Sequence, residues 1–322
     1  MDLEKINVEK ELKVVFMGTP DFAVPILQGL IDNYNVRAVV TQPDKPGNHG
    51  KIFFSPIKKL AMENTLLVIQ PTKIKEQYQE IIDLNPDLIV TCAYGQIIPK
   101  ALLDCPRLGC INVHASLLPK LRGGAPIHKS IIEGHSKTGI TIMYMNTKMD
   151  EGDIISQREI EITDTDTASS LHDKLSVLGK ELLLETLPSI IDGTNERIPQ
   201  NHEEATYAFT IKREDEKINF NDTKKQIYNQ VRGLNSFPGS YCILDGKILK
   251  VWECYISDEH PQGFNGEITN IYKDGIGVKV SNGEIVFKLI QPEGKKKMNA
   301  SDYINGLQDK DLIGKVLRWK NL

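Results

Sequence analysis

Short apolar runs alternate with helical patterns over residues 13–192, and this alternation limits the possible folds more than any other feature. Four of the runs lie in the segments "LKVVFMG", "NVRAVVTQ", "DLIVTCAYG" and "GCINVHA", where Val and Ile are nearly continuous. Strands of this composition are buried on both faces, which is typical of a parallel sheet covered by helices on each side. The later segments "TGITIMYMN" and "DIISQREIEI" predict two more strands. The first part of the chain is therefore predicted to be an α/β domain with a parallel or mixed sheet.

The N-terminal segment "LKVVFMGTPDFAVPILQGLI" predicts a strand, a tight turn at Gly18 and a helix. We place Thr19 as the N-cap of that helix and Pro20 at its first helical position. The same order of elements occurs in dinucleotide-binding folds, whose phosphate loop has three glycines in the pattern G-x-G-x-x-G. The segment "FMGTPDF" has one glycine and a proline instead. The sequence therefore argues against a dinucleotide cofactor.

The character of the sequence changes after a long amphipathic helix predicted in "ASSLHDKLSVLGKELLLETLPSII". The following residues, 193–212, are polar and rich in turn formers, and they predict a linker. Beyond them a short helix in "TKKQIYNQVRGL" precedes several short alternating strands, with a hairpin turn at "SNGE". This pattern favours a small β-barrel, with an OB-like barrel as the leading candidate. The predicted organisation is an N-terminal extension at 1–12, a first domain at 13–192, the linker and a C-terminal domain at 213–322.

Cysteine spacing and hydropathy exclude several classes of protein. Five cysteines without close spacing argue against a disulfide framework and a structural zinc site, so we expect no metal. No apolar stretch approaches the ~20 residues that cross a bilayer, and the first residues, "MDLEKINVEKEL", lack an apolar signal core. We expect a cytoplasmic monomer without a membrane partner. From Lys212 onward 18 Lys and Arg stand against 15 Asp and Glu, a weakly basic balance that permits a polyanionic partner.

Asn112 and His114 stand two residues apart near the end of the predicted strand "GCINVHA". Alternation along a strand places both side chains on one face, and ligands of open α/β sheets bind beyond the carboxyl ends of strands. A lone histidine there is usually structural, but the amide beside it and the irregular loop after it favour a functional site. The amide can donate to a developing oxyanion, and the imidazole can transfer a proton or stabilise that oxyanion. Neither group is a nucleophile, so the pair suits an acyl transfer in which the substrate supplies the nucleophile.

Three further segments supply candidate partners for this site. Asp150 in "MDEGD" follows a strand and is our candidate to orient the histidine, although Asp-x-Gly is also an ordinary turn. Arg122 is a candidate anion contact, or simply part of a loop entering a helix, and the two glycines after it allow close backbone approach to a ligand. The loop at 41–59 is long and rich in Gly, Pro and Lys, which indicates a functional loop. Its residues that could contact a phosphate backbone are Lys45, His49, Lys51, Lys58 and Lys59.

Several motifs together closely resemble the methionyl-tRNA formyltransferase family. They are "FMGTPDFAVPIL", "VVTQPDKP", "DLIVTCAYGQIIP", "GCINVHASLLPKLRGGAPIHKSI", "TGITIMYMNTKMDEGDI" and "GKKKM". The resemblance runs from residue 13 to the C-terminus and is strongest over 87–155. Asn, His, "SLLP" and a later Asp are also shared with glycinamide ribonucleotide and sugar-amine formyltransferases, whereas "GTPDF" and "QPDKP" favour the tRNA-modifying family.

The resemblance implies a Rossmann-like formyltransferase domain followed by an OB-like domain that helps to hold tRNA. It implies 10-formyltetrahydrofolate as the formyl donor and the free α-amine of initiator methionyl-tRNA as the acceptor. The catalytic set of the family falls on Asn112, His114 and Asp150, and its folate-binding loop falls on Ser116, Leu117, Leu118 and Pro119. In this chemistry the amine attacks the formyl carbon, Asn112 and His114 bind the oxyanion, and Asp150 holds the imidazole and favours its protonated form.

The chain departs from the family pattern at two places. In "PGNHGKIFF" His49 stands near the usual Arg, which weakens a phosphate contact or moves it to Lys51. In "LNSFPGSY" Ser236 and Phe237 replace a commoner "LNPWP". Both changes concern the tRNA contact and leave the transfer chemistry alone. Two alternatives stay open: formyl transfer to a small amine, such as a sugar nucleotide or glycinamide ribonucleotide, and a catalytically silent nucleic-acid-binding protein.

Overall fold

The computed structural model describes residues 11–46, 52–307 and 311–318, and the first half of the chain forms a seven-stranded mixed sheet. The first nine strands are β1 (Lys13–Gly18), β2 (Asn35–Val40), β3 (Lys45–Pro46), β4 (Ile52–Phe53), β5 (Leu67–Ile69), β6 (Leu88–Cys92), β7 (Cys110–His114), β8 (Lys137–Tyr144) and β9 (Ile154–Glu161). The strand order is β5-β2-β1-β6-β7-β8-β9, and β3 pairs only with β4. Neighbours from β5 to β7 are parallel, whereas β8 and β9 are antiparallel to theirs. The predicted parallel or mixed sheet is confirmed as mixed.

Helices connect these strands and supply the apolar cover that continuous Val and Ile runs require. They are α1 (Val24–Asn33), α2 (Pro56–Glu63), α3 (Gln79–Asp83), α4 (Lys100–Leu103), α5 (Pro126–Ile132) and α6 (Ala168–Ile191). The long helix predicted after β9 is confirmed with the same ends. Within α6, Gly179 allows close packing, because a Cβ at this position would come within 3.2 Å of side-chain atoms of Ile26 and Val113.

The start of the first helix differs from the prediction. Pro20 is the N-cap of a short 3-10 turn at Asp21–Ala23, and α1 begins only at Val24 with Pro25 in its first turn. Proline tolerates that place because the first helical N–H groups have no partner within the helix. Thr19 is therefore not an N-cap. Its hydroxyl donates to the carbonyl oxygen of Tyr94 at 3.3 Å instead.

The second sheet is antiparallel and lies entirely in the C-terminal part of the chain. Its strands are β10 (Ser240–Leu244), β11 (Lys247–Ser257), β12 (Ile268–Ile271), β13 (Ile276–Val280), β14 (Gly283–Pro292) and β15 (Met298–Asn299), and the accompanying helices are α7 (Lys224–Gly233) and α8 (Ala300–Asn305). The strand order is β10-β11-β14-β13-β12, with β15 on β14. The hairpin predicted at "SNGE" is confirmed and joins β13 to β14.

A short C-terminal segment links the two outer strands of this sheet. Arg318 exchanges two backbone hydrogen bonds with Ile243 on β10, at 2.8 and 2.9 Å, and the Ile268 amide on β12 donates to the Lys315 carbonyl at 2.8 Å. Pairing at both edges satisfies some of the backbone groups that an open sheet would leave unpaired. The C-terminal segment thus bridges the two outer strands, and the OB-like assignment stays a prediction.

The chain forms two compact units, each with its own sheet and apolar core. Within the described residues, no helix is both long enough and apolar enough to span a membrane. The first unit comprises Met1–Pro126, Lys137–Glu161 and His172–Phe209, and the second comprises Ile127–Ser136, Ile162–Leu171 and Thr210–Leu322.

Candidate active site

Strand β7 carries Asn112 and His114 on the same face, at the edge where the parallel strands end. Asn112 lies beside Thr91 of β6, and His114 lies opposite Thr141 of β8. The residue between them, Val113, points to the other face and is 3% exposed. Two successive residues on one face are about 7 Å apart along a strand, so both side chains can reach one small group. The alternation predicted from the sequence is confirmed.

The amide of Asn112 is oriented by a buried hydroxyl. Oγ1 of Thr91 donates to Oδ1 of Asn112 at 2.8 Å, and Thr91 is only 2% exposed. Because the oxygen accepts this bond, the Nδ2 group points away from Thr91. Among the described residues Nδ2 has no hydrogen-bond partner, and Asn112 is half-buried. The site therefore presents an oriented N–H donor that can bind a substrate oxygen.

The imidazole of His114 is held by backbone. Its Nε2 lies 3.0 Å from the carbonyl oxygen of Leu121, and the residue is 5% exposed. Because a carbonyl oxygen only accepts, Nε2 carries a proton. The other nitrogen, Nδ1, faces Oδ2 of Asp150 at 3.7 Å, which is beyond hydrogen-bond distance. Nδ1 is therefore the nitrogen that can gain or lose a proton during a reaction.

Asp150 reaches His114 from the loop between β8 and β9. Its backbone is in the left-handed region, with φ of +53°, which few residues other than Gly, Asn and Asp adopt. Its Oδ2 atom accepts a hydrogen bond from the Gly123 amide at 2.8 Å. The structure thus brings Asn112, His114 and Asp150 to one end of β7, although α5, β8 and their loops separate Asp150 from the other two in sequence.

The "SLLP" loop after β7 is fixed by a buried threonine. Oγ1 of Thr141 donates to the Ser116 carbonyl at 2.6 Å and accepts from the Leu118 amide at 3.1 Å. Ser116 and Leu118 are buried, whereas Leu117 and Pro119 are partly exposed. The backbone of this loop is therefore anchored next to the end of β7. The assignment of all four residues to folate binding stays a prediction.

Of the two alternatives for Arg122, the structure disfavours the anion contact and favours a structural role in the loop before α5. It is 1% exposed and donates to Oε1 of Gln200 and to Nδ1 of His202, while Nη1 lies 3.5 Å from Glu151. A guanidinium enclosed in this way is not available to a phosphate. Gly123, the next residue, also has a structural role. Gly123 has φ of +115°, and a Cβ there would lie 2.8 Å from the Ala208 carbonyl oxygen, so it approaches this chain segment and not a ligand.

The segment 41–59, predicted as one functional loop, contains the start of α2, so Lys58 and Lys59 lie on a helix. Nζ of Lys58 binds the Asp44 carboxylate at 2.5 Å and the Gln70 side chain at 2.8 Å. This lysine fixes the base of the loop and is not a free phosphate contact. His49 and Lys51 lie outside the described residues. Lys45 and Lys59 are exposed, as a phosphate contact requires.

Cysteine and metal chemistry find no support in the part of the chain that the structure describes. That part has no group of three or more His, Cys, Asp or Glu placed to hold a metal ion. Burial raises the pKa of the thiols of Cys92 and Cys242, and all five cysteines are free. A raised thiol pKa lowers the thiolate fraction, so these two side chains act as small apolar groups.

Sequence reasoning missed three groups that shape the site. Thr91 orients Asn112, the Gly123 amide holds Asp150, and Gln200 donates to the Asp150 and Gly152 carbonyls at 2.8 Å. Thr91 lies within a predicted strand and nothing in the sequence distinguishes it from its neighbours. The backbone amide of Gly123 is a group that every residue except proline carries, so the sequence does not single it out. Gln200 falls in the segment predicted as linker, where polar composition concealed a buried side chain.

Comparison with known proteins assigns both parts of the chain. Residues 12–187 match the family described as "Formyl transferase", and residues 210–308 match "Formyl transferase, C-terminal domain". The methionyl-tRNA formyltransferase of Geobacillus sp. (strain WCH70) is 52% identical over 301 residues, which cover 92% of this chain and 94% of the relative. The methionyl-tRNA formyltransferase of Staphylococcus aureus (strain MW2) is 48% identical over 309 residues, with coverages of 95% and 99%.

Solved structures share the fold at lower identity. One is WlaRD, a sugar 3N-formyl transferase crystallised in the presence of dTDP and 5-N-formyl-THF, with a TM-score of 0.67, 21% identity and coverages of 88% of this chain and 99% of that chain. Another is the N-formyltransferase from Helicobacter canadensis in complex with folinic acid and dTDP-3-aminofucose, with a TM-score of 0.66, 22% identity and coverages of 86% and 99%. At these identities the likeness concerns the fold alone.

Proposed function

The chain belongs to the formyl transferase family, and we propose that it transfers a formyl group from a folate donor to the α-amine of methionyl-tRNA. The two methionyl-tRNA formyltransferases described above are about half identical to this chain over nearly their whole length. The main structural support for this reaction is that Asn112, His114 and Asp150 lie close together at the end of β7. We propose these three as the catalytic residues, initiator methionyl-tRNA as the acceptor and 10-formyltetrahydrofolate as the particular donor.

The donor set at this edge suits a formyl group bound to folate. Bound there, the folate supplies an activated formyl carbonyl, and methionine supplies the nucleophilic amine. Nδ2 of Asn112 is an oriented donor with no partner among the described residues, which is what a carbonyl oxygen gaining negative charge needs. Ser116, Leu117, Leu118 and Pro119 form the adjoining wall, and we propose them for the folate ring system because Thr141 fixes their backbone.

Proton transfer falls to His114 and Asp150. Nε2 of His114 is committed to the Leu121 carbonyl, so the proton from the attacking amine is taken up at Nδ1, directly or through a water molecule. The same proton is then given to the folate nitrogen as its bond to the formyl carbon breaks, so the folate leaves as a neutral amine. An imidazolium formed at Nδ1 faces the carboxylate of Asp150 at 3.7 Å, and this attraction stabilises the charged ring. Orientation of the ring comes from Leu121 and charge compensation from Asp150, which refines the role first expected for the aspartate.

The second unit offers a basic surface for tRNA. Nζ of Lys297 lies 3.4 Å from the ring centroid of Trp252, and Nζ of Lys250 lies 5.3 Å from it. Lys297 ends a run of three exposed lysines in the turn before β15. Trp252 is only 6% exposed and Lys250 donates to the Pro238 carbonyl, so the exposed cations here are 295–297. We call Trp252, Lys250 and 295–297 together the Trp252 patch. Three neighbouring exposed lysines suit a nucleic-acid backbone, and we propose that the patch contributes to tRNA binding by a monomeric protein.

A formyl-transfer assay tests the proposal directly. The protein is incubated with 10-formyltetrahydrofolate and, in separate reactions, with charged initiator methionyl-tRNA, charged elongator methionyl-tRNA and a panel of small amines. We expect transfer to initiator methionyl-tRNA. Transfer only to a sugar nucleotide or to glycinamide ribonucleotide would overturn the acceptor assignment while leaving the catalytic set in place. Equal transfer to both tRNAs would overturn only the initiator preference.

A further inference from the structure

Gln200 and Arg122 form a buried pair next to the loop that carries Asp150. Gln200 is 6% exposed and Arg122 is 1% exposed. Oε1 of Gln200 accepts hydrogen bonds from Nε and Nη2 of Arg122, at 3.1 and 2.7 Å. Nε2 of Gln200 donates to the carbonyl oxygens of Asp150 and Gly152, both at 2.8 Å. The amide thus uses both of its N–H groups and both lone pairs of its oxygen.

These partners allow only one orientation of the Gln200 amide. A guanidinium only donates, so it must face the amide oxygen, and carbonyl oxygens only accept, so they must face the amide nitrogen. The hydrogen bonds therefore run in one direction, from Arg122 through Gln200 to the backbone of Asp150. A cation at the start of such a chain polarises the amide and strengthens its donation to the carbonyls.

Asp150 is held at two points. One leads through Gln200 to Arg122, and the other is the backbone amide of Gly123, the residue after Arg122. The carbonyl oxygen of Asp150 accepts from Gln200, and its Oδ2 atom accepts from the Gly123 amide at 2.8 Å. The left-handed backbone at Asp150, with φ of +53°, is unfavourable for a residue with a side chain. The conformation that turns the carboxylate towards His114 therefore depends on these two anchors.

The segment that delivers Gln200 is paired with the rest of the first unit on both sides of this residue. Ile198 exchanges two backbone hydrogen bonds with Ile154 of β9, each 2.9 Å long. Further along, the Arg122 amide donates to the Thr206 carbonyl at 2.9 Å, and the Ala208 amide donates to the Arg122 carbonyl at 2.7 Å. Residues 198–208 thus form part of the support of the site.

We propose that Gln200, together with Arg122, is a positioning residue that acts through Asp150 on His114. The role rests on the proposed formyl transfer, because it concerns the geometry of that site. Gln200 touches no reacting atom. It fixes the backbone of Asp150, and a carboxylate displaced by about 1 Å from a catalytic group can cost on the order of 100-fold in rate.

A double-mutant cycle separates this role from a general contribution to folding. The four proteins are the wild type, Gln200→Leu, Asp150→Asn and the double variant, and the measurement is kcat for formylation of methionyl-tRNA at saturating donor. We expect Gln200→Leu to lower kcat roughly 10- to 100-fold with a change in KM of less than about 3-fold. In the Asp150→Asn background we expect less than about 3-fold further loss, because the carboxylate through which Gln200 acts is gone.

Losses that multiply in the double variant, or an unchanged kcat in Gln200→Leu, would overturn the proposal. If Gln200→Leu melts below the assay temperature, Gln200→Glu replaces it in the cycle. That variant keeps the volume and the acceptor for Arg122 but presents oxygen to the two carbonyls. A wild type unable to formylate methionyl-tRNA would refute the proposed function itself, whereas an active wild type with multiplicative losses refutes only the role of Gln200.

Gln230 provides a matched control. Its Nε2 also donates to two backbone carbonyls, those of Asp215 at 2.9 Å and Lys217 at 2.8 Å, in the second unit. Gln230→Leu therefore removes two side-chain donations to backbone carbonyls of the kind that Gln200 makes, in the unit that does not contain Asp150. We expect this variant to keep kcat within about 2-fold of the wild type, because the loss of these two hydrogen bonds affects stability and leaves Asp150 in place. A loss in Gln230→Leu as large as in Gln200→Leu would count against the proposal.

Discussion

Oδ2 of Asp150 lies 3.7 Å from Nδ1 of His114 while it accepts a hydrogen bond from the Gly123 amide at 2.8 Å. The carboxylate is therefore close enough to stabilise a protonated ring but does not itself hold Nδ1. The ring is held from its other side, by the Leu121 carbonyl on Nε2. This arrangement leaves Nδ1 open to a substrate proton and keeps a negative charge beside it.

Replacing His114 by Ala should lower kcat by roughly 100-fold or more, because it removes the group that transfers a proton or stabilises the oxyanion. Folate affinity should change little, since the loop that we propose for folate binding is held by Thr141. Steady-state kinetics and equilibrium binding of the donor check the two parts separately. His135→Ala, at a partly exposed histidine paired with Glu133, is the control and should be nearly neutral. An equal loss of folate affinity in His114→Ala would assign the histidine to binding.

Replacing Asn112 by Ala should lower kcat roughly 100- to 1000-fold, the usual effect of removing one donor to an oxyanion. The effect should fall on kcat more than on KM, because the hydrogen bond strengthens as charge develops on the formyl oxygen. Pre-steady-state measurement of the transfer step tests this. A rise in KM at unchanged kcat would mean that Asn112 binds the ground state only.

Replacing Thr91 by Val should lower kcat about 10-fold through Asn112, because the hydroxyl that orients the amide is lost while the shape of the side chain is kept. Thr91→Ser keeps the hydroxyl and should restore most of the activity. The measurement is kcat for the two variants beside the wild type. Equal activity of Thr91→Val and wild type would show that the amide is oriented by something else.

Replacing Gly123 by Ala should destabilise the protein more than replacing Gly193. Both glycines have positive φ, +115° and +69°, so each substitution places a side chain in the left-handed region at a cost of about 1–2 kcal/mol. A Cβ at Gly123 also meets the Ala208 carbonyl oxygen at 2.8 Å, which adds roughly 1–3 kcal/mol, whereas Gly193 has nothing within 4 Å. Thermal unfolding of the two variants measures the difference. Equal shifts in Tm would contradict the close approach of residues 123 and 208.

Replacing Lys297 by Ala should weaken tRNA binding and reduce its dependence on salt. One phosphate contact fewer lowers the slope of log Kd against log salt concentration by about 1. Filter binding or fluorescence titration at several salt concentrations measures the slope. Lys73→Ala, at an exposed lysine paired with Glu76 in the first unit, is the control and should leave the slope unchanged. An unchanged slope in Lys297→Ala would remove the Trp252 patch from the tRNA interface.

The sequence by itself determined the elements that depend on local pattern. Continuous Val and Ile runs gave rise to strands buried on both faces, and apolar residues three and four apart predicted α6 from Ala168 to Ile191. The common face of Asn112 and His114 follows from the two-residue period of a strand and required no knowledge of tertiary contacts. Local spacing is enough in these cases because the physical cause acts between near neighbours.

Only the tertiary structure decided what surrounds that pair. In the sequence Arg122 is a candidate anion contact or part of a loop, and what decides between the two is a hydrogen bond to Gln200, 78 residues away. The same segment supplies the Ala208 carbonyl that requires Gly123 to be a glycine. Backbone amides and carbonyls make most of these contacts, and every residue except proline carries the same two groups. Their pairing depends on which distant segments the sheet brings together, so it cannot be predicted from the residues on either side of them in the sequence.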